Sequence, residues 1–504
     1  MTLLTKIDYL EYQLNKARIS VFKNLCIHKI FFLSSAAFIF LPYFVFAQNL
    51  DVNADSELNQ QTMTLDQNEK KAQGWNGLLR FEGMQYTTSL PDNPKLSQSQ
   101  LVSTQLKYEN LKSAFGTKFD FSAGSYLGQS GSHFSLSEVF AQFKLSKNSE
   151  VSIGRKLNFW SEADKNWQLG LWQPLFNLDA LRLQDQGLTG AFLELGNRNW
   201  NFLVFGSPLF IPTMGPNIQE ENGSLVADSR WYNQPSNSVP VFDQDTRLIY
   251  AIEMPELKEL VNQTSAAARF KYEADNGFWA SVNAGRKPIN SLMVQYEFQL
   301  NAPVVDSNGN ATLKPVVGFH KLAGADLGIK GKNSEVSISY LQDDPDTKSA
   351  SDLWVLQRPE AMKAVTFHTK YSMETPLTLF PVKVSLDYLK ITGGSISDFD
   401  SNGIYRSAIF EKRTNFYNAL RISGAVETQL FSKKTVWNFS YLRDFDQKGT
   451  LIGTEALIFP KERFAFVVGA DILGVDNPDE NVTTDFLNQF RANDRYYGGV
   501  SYVF

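Results

Sequence analysis

The chain has 504 residues, of which 43% are apolar, 13% aromatic and 20% charged, and its formal net charge is −5. This modest acidity disfavours nucleic acid as a partner. With only four histidines and no nucleophile elbow, metal-ligand spacing or phosphate loop, the sequence predicts neither an enzyme nor a bound cofactor.

The first 47 residues carry the features of an export signal. Five Lys or Arg residues precede an uncharged, mostly apolar run from Ile30 to Ala47. Small residues lie just before the bond between Ala47 and Gln48, which predicts cleavage there. A membrane-spanning helix or anchor is the alternative, because a run of this length is close to the minimum for a span. Cleavage would also remove Cys26, the only cysteine, so the exported chain would have no disulfide framework.

The rest of the chain divides into a short polar lead and a long alternating body. Residues 48–73 are polar, lack periodicity and are predicted to form a flexible periplasmic lead. From residue 74 onward most segments alternate between two kinds of side chain. In one of them Trp437, Phe439 and Tyr441 share a face, opposite two small polar residues. A period of two over so many segments predicts an all-β fold.

The length of the alternating body favours a single closed sheet. A two-sheet sandwich would also alternate, but at this length it would be divided into domains, and residues 74–504 contain neither a linker nor a fixed repeat. Together with the export signal, this predicts one closed antiparallel transmembrane β-barrel that faces outer-membrane lipid. The inward-facing candidates mix both signs, which predicts weak ion selectivity; they are Lys107, Lys118, Lys144, Lys370, Lys383, Arg421, Glu109, Asp120, Asp387, Glu427 and Asp471.

Turn-forming residues divide the barrel into strands. Tight turns are predicted near residues 110–113, 147–149, 196–199, 331–334, 432–434 and 460–462. Longer loops are predicted at residues 89–98, 161–183, 213–243, 301–314, 343–362, 393–415 and 475–493. This spacing gives about 18 strands, with about 16 to 20 allowed, and an even number places both termini in the periplasm. A barrel of this size is wide enough to enclose an aqueous channel.

One internal stretch points to a narrowing of that channel. In "IGRKLNF" a Gly-Arg pair ends the predicted fifth strand before a long loop, and this pattern resembles the fifth strand of general porins. In that family the arginine lines the constriction and acidic residues of an infolded loop face it. The resemblance implies that Arg155 and Lys156 form the basic wall and that Glu162 and Asp164 form the acidic side. Strict alternation would place Arg155 on the lipid side, so a β-bulge is predicted at Gly154.

The loop that follows is unusually rich in Trp and Leu. Residues 161–183 and the position just before them include Trp160, Trp167 and Trp172. Such side chains could pack an infolded loop against the inner wall or form an apolar slide for sugars. They could equally form an interfacial segment at the rim, where Trp is favoured. Both arrangements remain open from the sequence.

The C-terminus ends on an aromatic residue in an alternating strand. Tyr496, Val500, Tyr502 and Phe504 share one face of "DRYYGGVSYVF". This tail resembles the C-terminal signal that outer-membrane barrels present to the barrel-assembly machinery. Since a terminal strand with unpaired backbone groups would recruit other chains, we expect it to close the ring against the first strand.

The resemblance to porins implies a function and a set of partners. The expected function is a passive, water-filled channel for small hydrophilic solutes, with a homotrimer as a possible assembly. One alternative is a surface-exposed barrel whose long loops, notably 213–243 and 343–362, bind a partner or host surface. Another is a channel specific for sugars or organic anions, which would have a saturable site.

Overall fold

The computed structural model describes residues 74–89, 94–127, 131–227, 229–232, 234–241, 244–301, 308–346, 354–374, 382–399, 405–406, 412–478 and 485–504. The predicted export signal, its cleavage site at Ala47 and Gln48, and the lead of residues 48–73 lie outside the described residues. All described strands and helices belong to one compact unit, residues 51–373 and 378–504. Residues 1–50 and 374–377 form a separate unit, of which only Glu374 is described.

Eighteen antiparallel strands form one closed sheet. In chain order they are β1 Gly74–Tyr86, β2 Gln98–Asn110, β3 Phe115–Leu127, β4 Ser132–Ser146, β5 Ser149–Lys156, β6 Leu188–Gly196, β7 Trp200–Ser207, β8 Ser265–Glu273, β9 Phe278–Pro288, β10 Phe319–Lys330, β11 Ser334–Pro345, β12 Met362–Met373, β13 Val382–Gly393, β14 Asn418–Leu430, β15 Lys433–Asp444, β16 Gly449–Lys461, β17 Phe464–Val475 and β18 Arg495–Val503. Each strand pairs with its neighbours in the chain, as expected for an up-and-down barrel.

The ring closes between the first and last strands. Phe81 of β1 pairs with Val500 of β18, and Gly77 and Phe504 exchange two backbone hydrogen bonds of 2.9 Å. A Cβ atom at Gly77 would lie 2.2 Å from the Phe504 ring, so glycine is required for the ring to lie there. The predicted closed antiparallel barrel of about 18 strands is confirmed.

Alternation separates an apolar outer face from the lumen. On β17, Phe464, Phe466 and Val468 are exposed on the outside, whereas Ala465 and Val467 are buried on the inside. Exposed aromatic side chains also gather at the end of the barrel that holds both chain ends: Trp75, Phe115, Trp200, Phe278, Phe464 and Phe504. Aromatic rings are favoured where a membrane meets water, so this belt marks one edge of the apolar band.

The two ends of the barrel differ in the length of their connections. One end, the turn end, has short links at residues 111–114, 147–148, 197–199, 274–277, 331–333, 431–432 and 462–463. The tight turns predicted from the sequence are confirmed to within a residue or two. Gly74 and Phe504 also lie at the turn end, because β1 begins and β18 finishes there. The opposite end, the loop end, has most of the long connections.

The long connections at the loop end have secondary structure of their own. Seven strands from four loops form a second sheet: Ser238–Val241, Gln244–Ile252, Met293–Asn301, Asn308–Val316, Val355–Pro359, Ile396–Phe399 and Tyr405–Arg406. The predicted loop of residues 301–314 lies within the connection between β9 and β10, where residues 308–316 pair with residues 293–301 as a hairpin. Two further strand pairs are Leu175–Phe176 with Gln184–Asp185 and Ile218–Glu221 with Ser224–Ala227.

The helices are short. They are α1 Glu162–Trp167, α2 Leu257–Val261 and α3 Phe486–Gln489, and a 3-10 turn covers Pro94–Ser97. Within the described parts of the chain, none of the helices combines the length and the hydropathy needed to cross a membrane.

Candidate functional site in the barrel lumen

The connection between β5 and β6, residues 157–187, folds into the barrel and is called the inner segment here. Its contacts identify its position, because they are made with side chains on the inward faces of wall strands. On β10, for example, Leu327 and Ile329 are exposed outside, while Leu322 and Asp326 are buried inside, against the inner segment. The inner segment therefore occupies part of the lumen.

Asp326 clamps the start of α1 to the wall. This carboxylate is 1% exposed and accepts hydrogen bonds from the backbone N–H of Glu162 at 3.1 Å and from the hydroxyl of Ser281 at 2.7 Å. Ser161 is the N-cap of α1 and lies 3.3 Å from the same carboxylate. Ser339 of β11 accepts from the N–H of Ala163 at 3.2 Å. The wall thus supplies the partners that the first turn of a helix lacks.

A stack of aromatic and aliphatic side chains packs the inner segment against half of the wall. Trp160 and Trp172 are almost fully buried and lie 5.0 Å apart with nearly parallel rings. They belong to one apolar cluster with inward residues of β6 to β15, which are Leu188, Phe192, Leu203, Phe205, Ala267, Leu322, Leu341, Met362, Ala364, Leu389, Ile391, Ala419 and Leu442. On this side the lumen is filled by a dry core, which close-packing stabilises.

Arg421 of β14 holds the other end of α1. Its guanidinium donates to the carbonyl oxygen of Asn166 at 2.6 Å and to Asp387 of β13 at 3.2 Å, and it lies 4.8 Å from the Trp167 ring centroid. Asp387 also bonds His368 of β12. Since carbonyl groups at the end of a helix carry partial negative charge, a guanidinium there is favourable.

The far part of the inner segment reaches the opposite wall through ion pairs. Arg495 of β18 bonds Asp179 at 2.5 Å and Asp471 of β17 at 2.7 Å. Arg182 contacts Glu82 of β1, which also contacts Arg80. We call these six residues, from β1, β17, β18 and the inner segment, the ion-pair network.

The network is buried and its charges compensate one another. The guanidinium of Arg182 also lies 4.3 Å from the centroid of the Tyr497 ring, which covers one face of the guanidinium. Burial acts to raise the pKa of Asp179, but the guanidinium groups of Arg495 and Arg182 outweigh burial and hold that pKa below its ordinary value. The network therefore ties the inner segment to the wall opposite α1.

The structure places the predicted basic residues at the root of the inner segment. Arg155 donates to the carbonyl oxygen of Gly187 at 3.1 Å and to Gln186 at 3.4 Å. Lys156 bonds Glu150 at 2.9 Å and Glu194 at 2.7 Å. Both basic side chains are buried, so neither faces lipid.

The β-bulge expected at Gly154 does not occur, and the backbone conformation of Gly154 ends the alternation instead. The register runs through Gly154 on both sides without an inserted residue. Gly154 instead has a φ of +132°, and a Cβ atom there would lie 2.3 Å from the carbonyl oxygen of Val139. This backbone is accessible to glycine alone and ends the alternation, so that Arg155 and Lys156 are buried in succession.

The predicted acidic residues do not meet the basic ones. Asp164 is buried and accepts the backbone N–H groups of Leu171, Trp172 and Gln173 at 3.0, 2.9 and 3.4 Å. Its carboxylate thus folds the inner segment back on itself. Glu162 keeps a quarter of its side chain exposed and lies 3.9 Å from Lys165. Among the contacts of the described residues, no ion pair joins these two acids to Arg155 or Lys156.

The wall of β2 to β4 leaves charged groups facing the lumen. Lys107 lies 3.4 Å from Asp120, and Lys118 lies 2.6 Å from Glu138. The two lysines keep part of their side chains exposed, whereas both carboxylates are buried. Together with the ion-pair network, these pairs line the side of the barrel that the apolar cluster does not cover. The sequence predicted inward charges of both signs but missed this division of the lumen.

The connection between β7 and β8, residues 208–264, crosses the loop end and is called the mouth loop here. Arg230 donates to Asn493 at 3.0 Å and to the carbonyl oxygens of Thr88 and Ala492 at 2.9 and 2.7 Å. The neighbouring Trp231 stacks on Phe486 of α3, with ring centroids 6.2 Å apart. The mouth loop therefore contacts the rim near β1 and β18.

Comparison with known proteins finds solved structures with limited structural similarity and low sequence identity. No protein-family model matches the chain, and no curated protein matches it. Similar solved structures include OpdQ of Pseudomonas aeruginosa, with 11% identity, a TM-score of 0.42 and coverage of 85% of this chain and 97% of that one. OccK11 of the same organism has 9% identity, a TM-score of 0.42 and coverage of 85% and 95%. OmpF of Salmonella typhi in complex with daunomycin has 10% identity, a TM-score of 0.36 and coverage of 85% and 97%. The closed antiparallel barrel of 18 strands that the resemblance to porins implied is confirmed by the strand pairing itself.

Proposed function

We propose that the chain is an outer-membrane channel through which small hydrophilic solutes diffuse passively, and that the inner segment sets its width. The observation that carries this proposal is a closed barrel with an apolar exterior whose lumen is partly filled by a segment anchored to opposite walls. Lys107 of β2 and Lys118 of β3 keep part of their charged side chains exposed to the lumen. Such groups favour water and polar solutes over apolar ones.

The four predicted constriction residues have two kinds of role in this proposal. Arg155 and Asp164 position the inner segment, because their polar atoms bond its backbone or its end. Lys156 is buried and paired with Glu150 and Glu194, so it also serves as an anchor at the root of the segment. Glu162, with a quarter of its side chain exposed, remains the candidate for lining the narrow part of the channel. A charge-balanced lining predicts weak selectivity between cations and anions.

The proposal extends to export and assembly. Residues 1–47 would be removed as an export signal after Ala47, and residues 48–73 would form a periplasmic lead. The turn end, with both ends of the barrel chain, would face the periplasm, as short turns do in such barrels. The outward residues Tyr496, Val500, Tyr502 and Phe504 would be read by the barrel-assembly machinery. Assembly as a homotrimer remains a prediction.

Single-channel conductance of refolded protein in a planar bilayer tests the channel. Deletion of residues 161–176 removes α1 and most of the side chains that the inner segment contributes to the apolar cluster. The remaining residues need only join Lys156 to Leu188, which are directly paired. The deletion should increase the conductance step. Deletion of residues 297–312 removes the same number of residues from the outer hairpin and should leave the step unchanged. Absence of conductance in all three folded proteins would exclude a channel.

The second sheet at the loop end favours one alternative function. Four loops contribute the seven strands of this sheet, so the loop end carries an ordered surface beyond the barrel. Such a surface could bind a partner outside the cell while the barrel serves as its support. A folded barrel that does not conduct but binds a surface through this sheet would support that alternative.

A further inference from the structure

A cavity of about 250 Å³ lies at the loop end, between β1 to β4, the inner segment and the mouth loop. Its wall includes Met84 and Tyr86 of β1, Phe176 and Asp179 of the inner segment, and Arg230 of the mouth loop. Parts of the chain that are distant in sequence therefore meet in its wall.

The cavity adjoins the ion-pair network on the side of the loop end and shares Asp179 with it. Arg80, Glu82, Met84 and Tyr86 are successive buried residues on the inward face of β1. Since a strand rises about 3.4 Å per residue, Met84 lies about 7 Å closer to the loop end than Glu82. A solute that enters from the loop end on this side meets the cavity before it meets the network.

One side of the cavity is a row of rings. The ring of His133 lies 6.0 Å from that of Tyr126 and 5.3 Å from that of Phe176, measured between centroids. All three residues line the cavity. Ring faces offer flat apolar area, and a pocket lined mainly by such side chains with a few placed polar groups is the usual form of a small-molecule site.

Two charged groups of the cavity, Asp179 and Arg230, are already compensated, and a third, Glu221, is exposed. Asp179 accepts from Arg495 at 2.5 Å and from the N–H of Leu181 at 3.1 Å. Arg230 directs its donors to three carbonyl oxygens and to Asn493. A charged solute would have to break these contacts or remain unpaired in a buried site, which is costly. A neutral solute faces no such cost.

Three groups can still bond a hydroxyl, and one of them is the Nδ1 atom of His133, which is buried without a hydrogen-bond partner among the described residues. The Ser99 side chain is 6% exposed, and its hydroxyl oxygen has no hydrogen-bond partner among the described residues. A buried hydroxyl without a partner is uncommon in folded proteins. Asp179 accepts two close hydrogen bonds, whereas a carboxylate offers about four acceptor positions. Ser99 and Asp179 both line the cavity.

We propose that this cavity is a saturable site for a neutral hydroxylated ring, of the monosaccharide class, at the entrance of the channel. The ring lies against Tyr126, His133 and Phe176, and its hydroxyls bond Ser99 and Asp179. The volume is below the roughly 300–1,000 Å³ of sites for drug-sized ligands, which fits one sugar ring better than an oligosaccharide. The inference rests on the proposed channel function, because it names the solute class of the same lumen.

Equilibrium dialysis of the refolded full-length barrel with radiolabelled glucose tests the site directly, with benzoate as a charged ring probe. Wild-type protein should bind glucose saturably. Tyr126→Leu removes one ring of the row and should weaken glucose binding at least tenfold, which corresponds to about 1.4 kcal/mol. Ser99→Ala should weaken it by a smaller factor. Tyr340→Leu removes an outward ring on β11 and serves as the matched control, with unchanged affinity.

The outcomes separate this inference from the channel itself. No saturable glucose binding, tighter binding of benzoate than of glucose, or equal affinity of Tyr126→Leu and wild type would each overturn the sugar site. The same preparations are measured for conductance. A conducting barrel that does not bind glucose keeps the channel and removes the site. Glucose binding by a barrel that never conducts keeps the site and removes the channel.

Discussion

Substitution of Asp326 by Ala should release the start of α1 from the wall of the lumen. The carboxylate holds the inner segment through the N–H of Glu162 at 3.1 Å and the hydroxyl of Ser161 at 3.3 Å. Ser161 can keep a partner, because Ser339 lies 3.2 Å away. The N–H of Glu162 would be left without a protein acceptor, so the hydrogen bond from this N–H to Asp326 determines the free-energy cost of the substitution.

A hydrogen bond to a charged group contributes about 1.5–3 kcal/mol. Loss of this bond should therefore make local release of the inner segment roughly 10- to 140-fold more frequent, since about 1.4 kcal/mol corresponds to a factor of ten. Asp326→Asn keeps a neutral acceptor at the same place and should give an intermediate result. The fold of the barrel should persist, because the strand pairing of β10 does not use this side chain.

Open-channel current noise in a planar bilayer is the assay for Asp326→Ala. We expect more noise than in wild type, with Asp326→Asn between them. Asp275→Asn is the matched control, because Asp275 forms an exposed ion pair with Arg198 in a short turn far from the inner segment. A folded Asp326→Ala barrel with the noise of wild type would refute either the clamp or the role of the inner segment in narrowing the channel.

Three further substitutions test other parts of the structure. Asp179→Asn removes an anchor of the inner segment. The pKa of Asp179 is depressed, so the carboxylate stabilises the folded protein at neutral pH and loses this effect only as the pH falls below the ordinary value of 3.8. The variant should therefore show raised current noise at neutral pH, whereas wild type should show it only in strong acid. Gly154→Ala should destabilise the barrel by about 1–3 kcal/mol because Gly154 has a φ of +132°. Gly206→Ala is the control and should leave stability unchanged, because a Cβ atom there meets nothing within 4 Å. Thermal unfolding in detergent measures both. Phe504→Ala should lower the amount of barrel assembled in the outer membrane more than Phe445→Ala, an exposed ring outside the terminal strand, as measured by the heat-modifiable folded band.

The sequence predicted the barrel because alternation and turns are local signals. Strand number, ring closure and the outward position of Phe464 and Phe466 follow from a period of two and from the spacing of turn residues. The second sheet at the loop end was missed because its strands come from four loops, and pairing between distant segments leaves no periodic trace. Its parallel pair, residues 244–252 with 308–316, is an example.

The sequence does contain a sign that one side of the lumen is apolar and covered, but it is hidden within the general alternation of the strands. In β7, "WNFLVFGS", Phe202 and Val204 face outward while Leu203 and Phe205 are almost fully buried inside, so both faces are apolar. A strand that is apolar on both faces is expected to be covered on both. Lipid covers one face here and the inner segment covers the other. The ion-pair network had no comparable signal, because its members lie on four separate segments of the chain.

The anchoring of the inner segment argues for a fixed constriction and against a lid that opens. Asp326 and Arg421 hold one part of the segment, whereas the ion-pair network holds another part at the opposite wall. Breaking a buried ion pair such as Asp179 with Arg495 costs about 3–5 kcal/mol, so release on that side alone should be populated at roughly 1% or less. Release at both walls together is rarer still. A substitution at one anchor should therefore increase current noise without a new conductance level, whereas removal of α1 and its core should raise the conductance level itself.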